Sequence, residues 1–213
     1  DLRAFFELDE LAVDLVAVLM AVQDDVDVHR LARFAQADFA VRNPTRAFLA
    51  EVVSPDGAAR RAAAGWLGPS AILHRLSLVR EVSDDPGPWT HRPVCLADRV
   101  AAFLRGTQEG LRDEVAGAIS SESAAVDLDA LGHDAELAKT LRRAARQARE
   151  AGGALALTGP AEARAWEIAL AAIGAFGAVH IDLAAPVLPA APTPELVEEI
   201  VVAGVREARL RQA

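Results

Sequence analysis

Hydrophobic residues near the beginning of the chain recur with helical spacing. Apolar positions three or four residues apart predict a core helix over 9–22, with Asp9 able to cap its first turn. A second helix is predicted to run to about Ala37. Its predicted apolar side consists of Val28, Leu31, Ala32, Phe34 and Ala35. The three aspartates of 24–27 lack the glycine and the twelfth-position glutamate of a calcium loop, so we interpret them as helix caps.

The next segment combines a third helix with short β-rich runs. Asn43 followed by Pro44 predicts a helix start, with asparagine as the cap, and the helix over 45–53. The further predicted elements are a short helix over 58–64, β-rich runs at 72–76, 78–82 and 93–96, a turn at 83–88, and a helix over 98–104. Three helices followed by a small antiparallel ribbon are in the order of a winged helix.

The third helix decides whether DNA is an expected partner, because winged-helix proteins often place this helix in a DNA groove. Its candidate contact residues, for DNA or for a protein partner, are Arg42, Asn43 and Arg46. The residues assigned to its core side are Phe48, Leu49, Val52 and Val53. Two arginines are few for phosphate binding, and the ribbon turn carries two aspartates. We therefore favour a protein-docking or structural role, with DNA binding as the alternative.

The second half of the chain is predicted to alternate strands and helices. A connector of small and acidic residues covers 107–127, and an amphipathic helix follows from about 128. The apolar side of that helix consists of Leu128, Leu131, Leu137 and Leu141 with Ala138, Ala144 and Ala145, and its basic side consists of Lys139, Arg142, Arg143, Arg146 and Arg149. A solvated face is the usual meaning of such a run, and phosphate contact stays open. The order then becomes strand 154–158, helix 161–173, strand 178–183 and helix 194–211, which is typical of a parallel α/β domain.

The segment 153–174, GALALTGPAEARAWEIALAAIG, places a strand, a Gly-Pro turn and a helix where a phosphate-binding loop would lie. A working loop reads G-x-x-x-x-G-K-[ST], in which backbone N–H groups, a lysine and a hydroxyl hold the phosphates and magnesium. Arg164, Ala165 and Trp166 stand at the second glycine, the lysine and the hydroxyl. The candidate nucleotide contacts of this vestigial loop are Thr158, Gly159 and Pro160. The alternative is a turn that only joins a strand to a helix.

Composition and charge narrow the expected partners. The net charge of −9 and the single lysine disfavour nucleic acid, and no apolar run has the length of a membrane span. One cysteine, Cys95, excludes an internal disulfide and agrees with a reducing, cytoplasmic location. The five histidines lack metal-site spacing, so no catalytic or metal-binding residue is expected. The first residue, Asp1, and the absence of a signal-peptide pattern predict a piece of a longer protein.

Two stretches carry a resemblance to a known family. The run LDELAVDLVAVLMAVQDDVDVHRLARFAQADFAVRNPTRAFLAEVV, followed by LGPSAILHRLSLVREVSDDPGPWTHRPVCLADRVAAFLRG, resembles the N-terminal winged-helix region of a group of bacterial AAA+ ATPases. The later run LALTGPAEARAWEIALAAIGAFGAVHIDL is similar to the start of the nucleotide-binding domain that follows in those proteins. The resemblance rests on the order and spacing of the predicted elements and on short stretches of similar sequence.

The resemblance implies a mixed α and β fold. A winged-helix-like domain (1–106) and a linker (107–127) would precede the first part of a parallel α/β, P-loop NTPase-like domain (128–213) with a degenerate Walker A motif. It implies a non-catalytic interaction or regulatory region of an AAA+ ATPase that drives protein remodelling or assembly. Protein partners or neighbouring subunits of the parent ring are expected, and ATP and Mg²⁺ only for the parent. The alternative is a winged-helix DNA-binding regulator.

Overall fold

The computed structural model describes residues 2–37, 42–54, 56–82, 87–107, 119–122, 135–150, 165–173, 178–181, 189, 191 and 193–211. The helices of these ranges are α1 (Leu2–Phe6), α2 (Glu10–Asp24), α3 (Val26–Ala35), α4 (Arg46–Val53), α5 (Gly57–Trp66), α6 (Ile72–Arg75), α7 (Asp98–Leu104), α8 (Ala135–Glu150), α9 (Ala165–Ile173) and α10 (Pro194–Arg211). The strands are β1 (Val79–Glu81), β2 (Val94–Leu96), β3 (Ile119–Glu122) and β4 (Ala178–Ile181), and a short 3₁₀ helix spans Trp89–His91.

The first half of the chain has the helix and ribbon arrangement that the sequence predicts. Helices α2, α3 and α4, followed by α5 and the short α6, precede an antiparallel pair in which Val79 of β1 lies opposite Leu96 of β2. The segment before α4 adds an isolated antiparallel bridge between Thr45 and Pro93. The core beneath these elements is built from fully buried side chains of Phe6, Leu15, Leu19, Leu49, Leu67, Leu73, Leu78, Val79 and Leu96. The predicted winged-helix order is thus confirmed.

Aspartate caps fix the starts of α2 and α3. The Asp9 carboxylate accepts a hydrogen bond from the backbone N–H of Ala12 at 2.8 Å. The Asp25 carboxylate accepts from the N–H groups of Asp27 and Val28 at 2.8 and 3.1 Å. Each bond satisfies a donor that the first turn of a helix leaves without an intrahelical partner. The interpretation of the aspartate run as caps is therefore confirmed for Asp25.

Two local predictions in this half are wrong. Residues 72–75 form α6 and not a strand, because Leu73 turns into the core at 0% exposure from a helical turn that follows the Gly-Pro sequence. Helix α4 begins at Arg46, with the Thr45 hydroxyl accepting from the N–H of Phe48 at 3.2 Å, so Asn43 is not the cap. The preceding Pro44 is held against the ribbon, where its carbonyl accepts from the N–H of Val94 at 2.9 Å.

The described strands of the second half form a pair that the sequence does not predict. Strands β3 and β4 are antiparallel, with Ile119 opposite Ile181, and β3 lies inside the interval predicted as a connector. The strand predicted at 154–158 and the Gly-Pro turn at 159–160 lie outside the described residues. Helices α8 and α9 pack through a small cluster consisting of Ala138, Ala171 and Ala172 with Leu141, Ala145 and Ile168. Leu137, predicted on the apolar side of α8, is exposed.

Helix α10 has the bounds that the sequence predicts but an unforeseen location. It packs against α1 as well as against β3 and β4, and Leu210 joins the core of the first half. Within the ranges given above, no helix has the length and apolar character needed to cross a bilayer.

Candidate functional site

Helix α4 is the helix that the sequence predicts as the third, the one that many winged-helix proteins present to DNA; in the structure α5 and α6 lie between it and the ribbon in chain order. Its single basic side chain, Arg46, is 4% exposed. Nε of Arg46 donates to the carbonyl oxygen of Leu67 at 3.3 Å, and Nη1 donates to that of Trp89 at 3.4 Å. Nη2 donates to Oε2 of Glu81 at 2.9 Å. The guanidinium therefore ties α4 to the end of α5 and to the ribbon, and it faces away from solvent.

An aromatic ring and an imidazole complete the surroundings of Arg46. The guanidinium carbon lies 5.0 Å from the centroid of the Trp89 ring, within the range of a cation–π interaction. Nη2 lies 3.4 Å from Nε2 of His74. Burial lowers the pKa of His74 and the charge of Arg46 lowers it further, against the opposing effect of Glu81. We assign the ring proton to Nδ1, because Nε2 faces a donor.

The basic side chains of the ribbon are also paired with carboxylates. Nη2 of Arg80 lies 3.2 Å from Oδ2 of Asp98, and Nη1 of Arg92 lies 3.3 Å from Oε1 of Glu81. Carboxylates this close neutralise charges that a DNA-binding wing would direct at phosphates. The described part of the ribbon therefore presents little net positive charge.

The outward side of α4 is apolar and acidic. Ala47, Glu51 and Val52 are exposed, and Phe48 is half-buried. The prediction that Leu49 lies in the core is correct, but Val52 is exposed to solvent. The buried side of α4 consists instead of Arg46, Leu49 and Ala50. The outward side of α4 is thus without basic residues, whereas the next helix, α5, exposes Arg61.

Helix α3 continues this apolar surface. Leu31 and Phe34 are 65% and 72% exposed, and of the apolar side predicted for α3 only Ala32 is buried. An open groove of about 280 Å³ runs between the two helices and is lined by Ala35, Gln36, Thr45, Ala47, Phe48, Glu51 and His91. Leu31 lies one turn before Ala35, and Val52 lies one turn after Phe48. We call the groove together with Leu31, Phe34 and Val52 the α3–α4 face.

Gln36 holds the two sides of the groove together. Its Oε1 accepts from the backbone N–H of Thr45 at 2.8 Å, and its Nε2 donates to the carbonyl oxygen of Ala32 at 3.3 Å. The amide therefore spans the end of α3 and the start of α4, so that the groove is a formed feature of the fold.

The predicted contact residues separate into different environments. Arg42 is exposed and Asn43 is half-buried, and both precede α4 in the chain. Arg46 lies inside the domain, where its hydrogen bonds stabilise the fold. Thr158, Gly159 and Pro160 lie outside the described residues. Among the residues that the structure places, no three His, Cys, Asp or Glu side chains come together as possible metal ligands.

Comparison with known proteins assigns the first half of the chain to a protein family. A family model described as "Winged helix domain, variant" matches residues 1–118, more than half of the 213 residues. The chain belongs to this family. No curated protein matches the chain, and no solved structure matches it either. The matched interval extends past residue 106, and the domain boundary at 106 stays a prediction.

Winged-helix domains are modules that bind DNA or other proteins. In this winged-helix domain the sequence pattern did not reveal that Leu31 and Phe34 are exposed. The available signal was that α3 carries apolar residues on every side, at 26, 28, 31, 32, 34 and 35, which is more than one neighbouring helix can cover.

Proposed function

We propose that the winged-helix domain binds a partner protein through the α3–α4 face. The observation that carries the proposal is the orientation of α4, with Arg46 inside the domain and Ala47, Glu51 and Val52 on its outer side. Binding to DNA depends on lysines and arginines that reach phosphates. An exposed apolar surface rimmed by polar groups is instead typical of protein interaction sites.

Phe34 and Leu31 are the expected anchors of such a complex. Each exposes well over half of a large apolar side chain. Removing a side chain of this size from water contributes roughly 1.5–3 kcal/mol, and aromatic residues are frequent hot spots of interfaces. The groove beside them offers a concave place for a side chain of the partner.

We further infer that the domain serves an AAA+ ATPase as a non-catalytic region. The resemblance of the chain to the N-terminal part of such proteins supports this, together with its membership of a winged-helix family. The domain would then hold a client or a neighbouring subunit, while ATP and Mg²⁺ act in an intact ATPase domain of the parent. Thr158, Gly159 and Pro160 are proposed as vestigial nucleotide contacts.

Site-specific photo-crosslinking tests the protein-binding proposal. A crosslinker at Phe34 is expected to capture a defined partner from lysate of the source organism, whereas one at Val201 is not. Val201 is a matched control, because it is an apolar residue that is 44% exposed but lies on α10, outside the α3–α4 face. Leu31→Asp is expected to abolish the capture. Equal capture at both positions would contradict the proposal.

A DNA titration tests the alternative. The full chain is expected to show no saturable binding to a labelled mixed-sequence duplex at low salt. Binding that weakens with salt and is lost on Arg42→Ala would instead establish a DNA-binding regulator. Arg46→Ala cannot serve in this experiment, because loss of the buried guanidinium would disturb the fold itself.

A nucleotide assay tests the ATPase inference separately. The chain is expected to show no steady-state ATP hydrolysis, because the loop at 159–166 lacks the lysine and the hydroxyl that position phosphates and magnesium. Turnover above background that disappears when Gly159 is substituted would contradict this expectation.

A further inference from the structure

Helix α10 docks on the winged-helix domain with its last two turns. Leu210 is buried in the same core as Phe6. Nη1 of Arg206 donates to the carbonyl oxygen of Ser77 at 2.9 Å. The guanidinium carbon of Arg209 lies 5.8 Å from the centroid of the Phe6 ring. Apolar, hydrogen-bonding and cation–π contacts therefore fasten the same end of this helix.

The contact at Ser77 falls on a constrained part of the backbone. Ser77 has a φ of 49°, in the left-handed region that residues other than glycine seldom adopt. Arg206 is 3% exposed, so its hydrogen bond to this turn lies within the protein. The helix thus braces the turn that leads into β1.

A buried ion pair joins α10 to α7. Nε and Nη2 of Arg99 donate to the two carboxylate oxygens of Glu207 at 2.8 and 2.9 Å, across 108 positions of sequence. The side chains of Arg99 and Glu207 are 7% and 1% exposed. Arg211 also contacts Glu207 from the next turn of α10. Burial by itself would raise the pKa of Glu207, but the bonds and charges of Arg99 and Arg211 hold that pKa below its usual range.

The same helix also touches the second half of the chain. Helix α10 packs against both β3 and β4. Ile200, Ala203, Gly204 and Glu207 are buried at the spacing of one helical face. One continuous helix of 18 residues therefore contacts the winged-helix domain and the β3–β4 pair.

We propose that α10 is a latch that couples the winged-helix domain to the β3–β4 pair, with the Arg99–Glu207 pair setting its register. A shift of α10 by one turn would separate the two charges and leave Arg99 buried without its carboxylate, because Arg211 would move together with Glu207; this is strongly unfavourable. Apolar contacts tolerate such a shift better, because they are not directional. When α10 is docked on the winged-helix domain, it holds the β3–β4 pair in one position relative to that domain. When α10 is released, the β3–β4 pair is no longer held there.

Hydrogen exchange of the full chain, read by mass spectrometry, tests the latch. Glu207→Gln keeps the shape of the side chain but leaves Arg99 without its opposite charge. Exchange at 200–210 and in α1 is expected to accelerate by about tenfold or more, and exchange in α2 and α4, which share a core with Leu210, by clearly less. Glu199→Gln, at an exposed carboxylate of the same helix, is the control and is expected to change nothing.

Two results would overturn the latch. One is unchanged exchange in Glu207→Gln, and the other is an acceleration that is equal in α2, α4 and α10, since this reports global unfolding. If Glu207→Gln does not fold, Arg99→Lys takes its place, because it keeps the charge but loses the paired donors. The same local pattern at smaller amplitude is expected, and the same two results would overturn the proposal.

A double variant tests whether the Arg99–Glu207 pair sets the register of α10. Arg99→Met combined with Glu207→Met removes both charges and keeps apolar volume. Protection of α10 is expected to recover, whereas the Leu210 methyl groups are expected to give more than one set of NMR signals. A single set would show that the ion pair does not set the register.

Discussion

Arg46 connects three parts of the winged-helix domain through one side chain. Its planar guanidinium carries five N–H donors, and the structure directs them to two carbonyl groups and one carboxylate. The flat face meanwhile lies over the ring of Trp89. A lysine at this position would supply the charge but not the fork or the face. The residue at the start of α4 is therefore committed to holding α4 on the ribbon.

Replacing Arg46 should destabilise the domain far more than replacing Arg42. Arg46→Ala is expected to lower the free energy of unfolding by about 3 kcal/mol, because the carbonyl groups of Leu67 and Trp89 lose their donor and Glu81 keeps only its pair with Arg92. Arg46→Lys should recover only part of this loss. Arg42→Ala, at an exposed position, should cost no more than about 0.5 kcal/mol. Urea denaturation measures all three, and equal effects of the two alanine variants would show that the buried network contributes nothing.

His74 should make stability depend on pH. Its pKa is lowered in the folded state, first by burial and then by Arg46, from an ordinary value of 6.5. The unfolded chain therefore takes up a proton at a higher pH than the folded chain, so stability falls as pH drops below 6.5 towards the folded pKa. His74→Gln should flatten this part of the curve of unfolding free energy against pH. An identical slope in the variant would assign the effect to other groups.

At the scale of elements, the sequence predicts starts and ends that depend on local chemistry. The bounds of α7 and α10 agree with the prediction, and α2 begins directly after the predicted Asp9 cap. These features are predictable because helix caps and apolar spacing depend on residues that are close together in the sequence. Residues 72–75 and the start of α4 were misassigned, since the core and the ribbon decide their conformation. The α3–α4 face was missed for the same reason. Periodicity shows that a helix has an apolar side, but not how much of that side its neighbours cover.

The Asp25 cap of α3 is expected to contribute measurably to the stability of the domain. Asp25→Ala should lower the free energy of unfolding by about 1 kcal/mol, because two backbone donors lose their acceptor. Asp27→Ala is the matched control, since Asp27 is exposed in the first turn of the same helix and forms a surface pair with Arg30. Its effect should stay below about 0.5 kcal/mol. Thermal unfolding followed by circular dichroism compares the two, and a larger loss for Asp27→Ala would contradict the capping assignment.

At the scale of the whole molecule, the winged-helix core extends beyond the sequence that the family model covers. The match ends at residue 118, whereas Leu210 packs into the core that contains Phe6 and Leu15. Two distant segments therefore share one apolar cluster, and burial in a shared core makes their unfolding interdependent. Neither the periodicity nor the charge of the sequence could predict that Leu210 packs into the first half, because the sequence of α10 is that of an ordinary amphipathic helix.

Truncating Leu210 should therefore destabilise the winged-helix domain itself. Leu210→Ala is expected to cost about 2–4 kcal/mol, because it removes a buried side chain and leaves a cavity. Val205→Ala, at an exposed position of the same helix, should have little effect. Urea unfolding is followed by the fluorescence of Trp66 and Trp89 in a Trp166→Phe background, so that the signal comes from the first half alone. If α10 were an independent element, Leu210→Ala would leave this transition where it is in the parent, whereas a shared core requires its midpoint to fall.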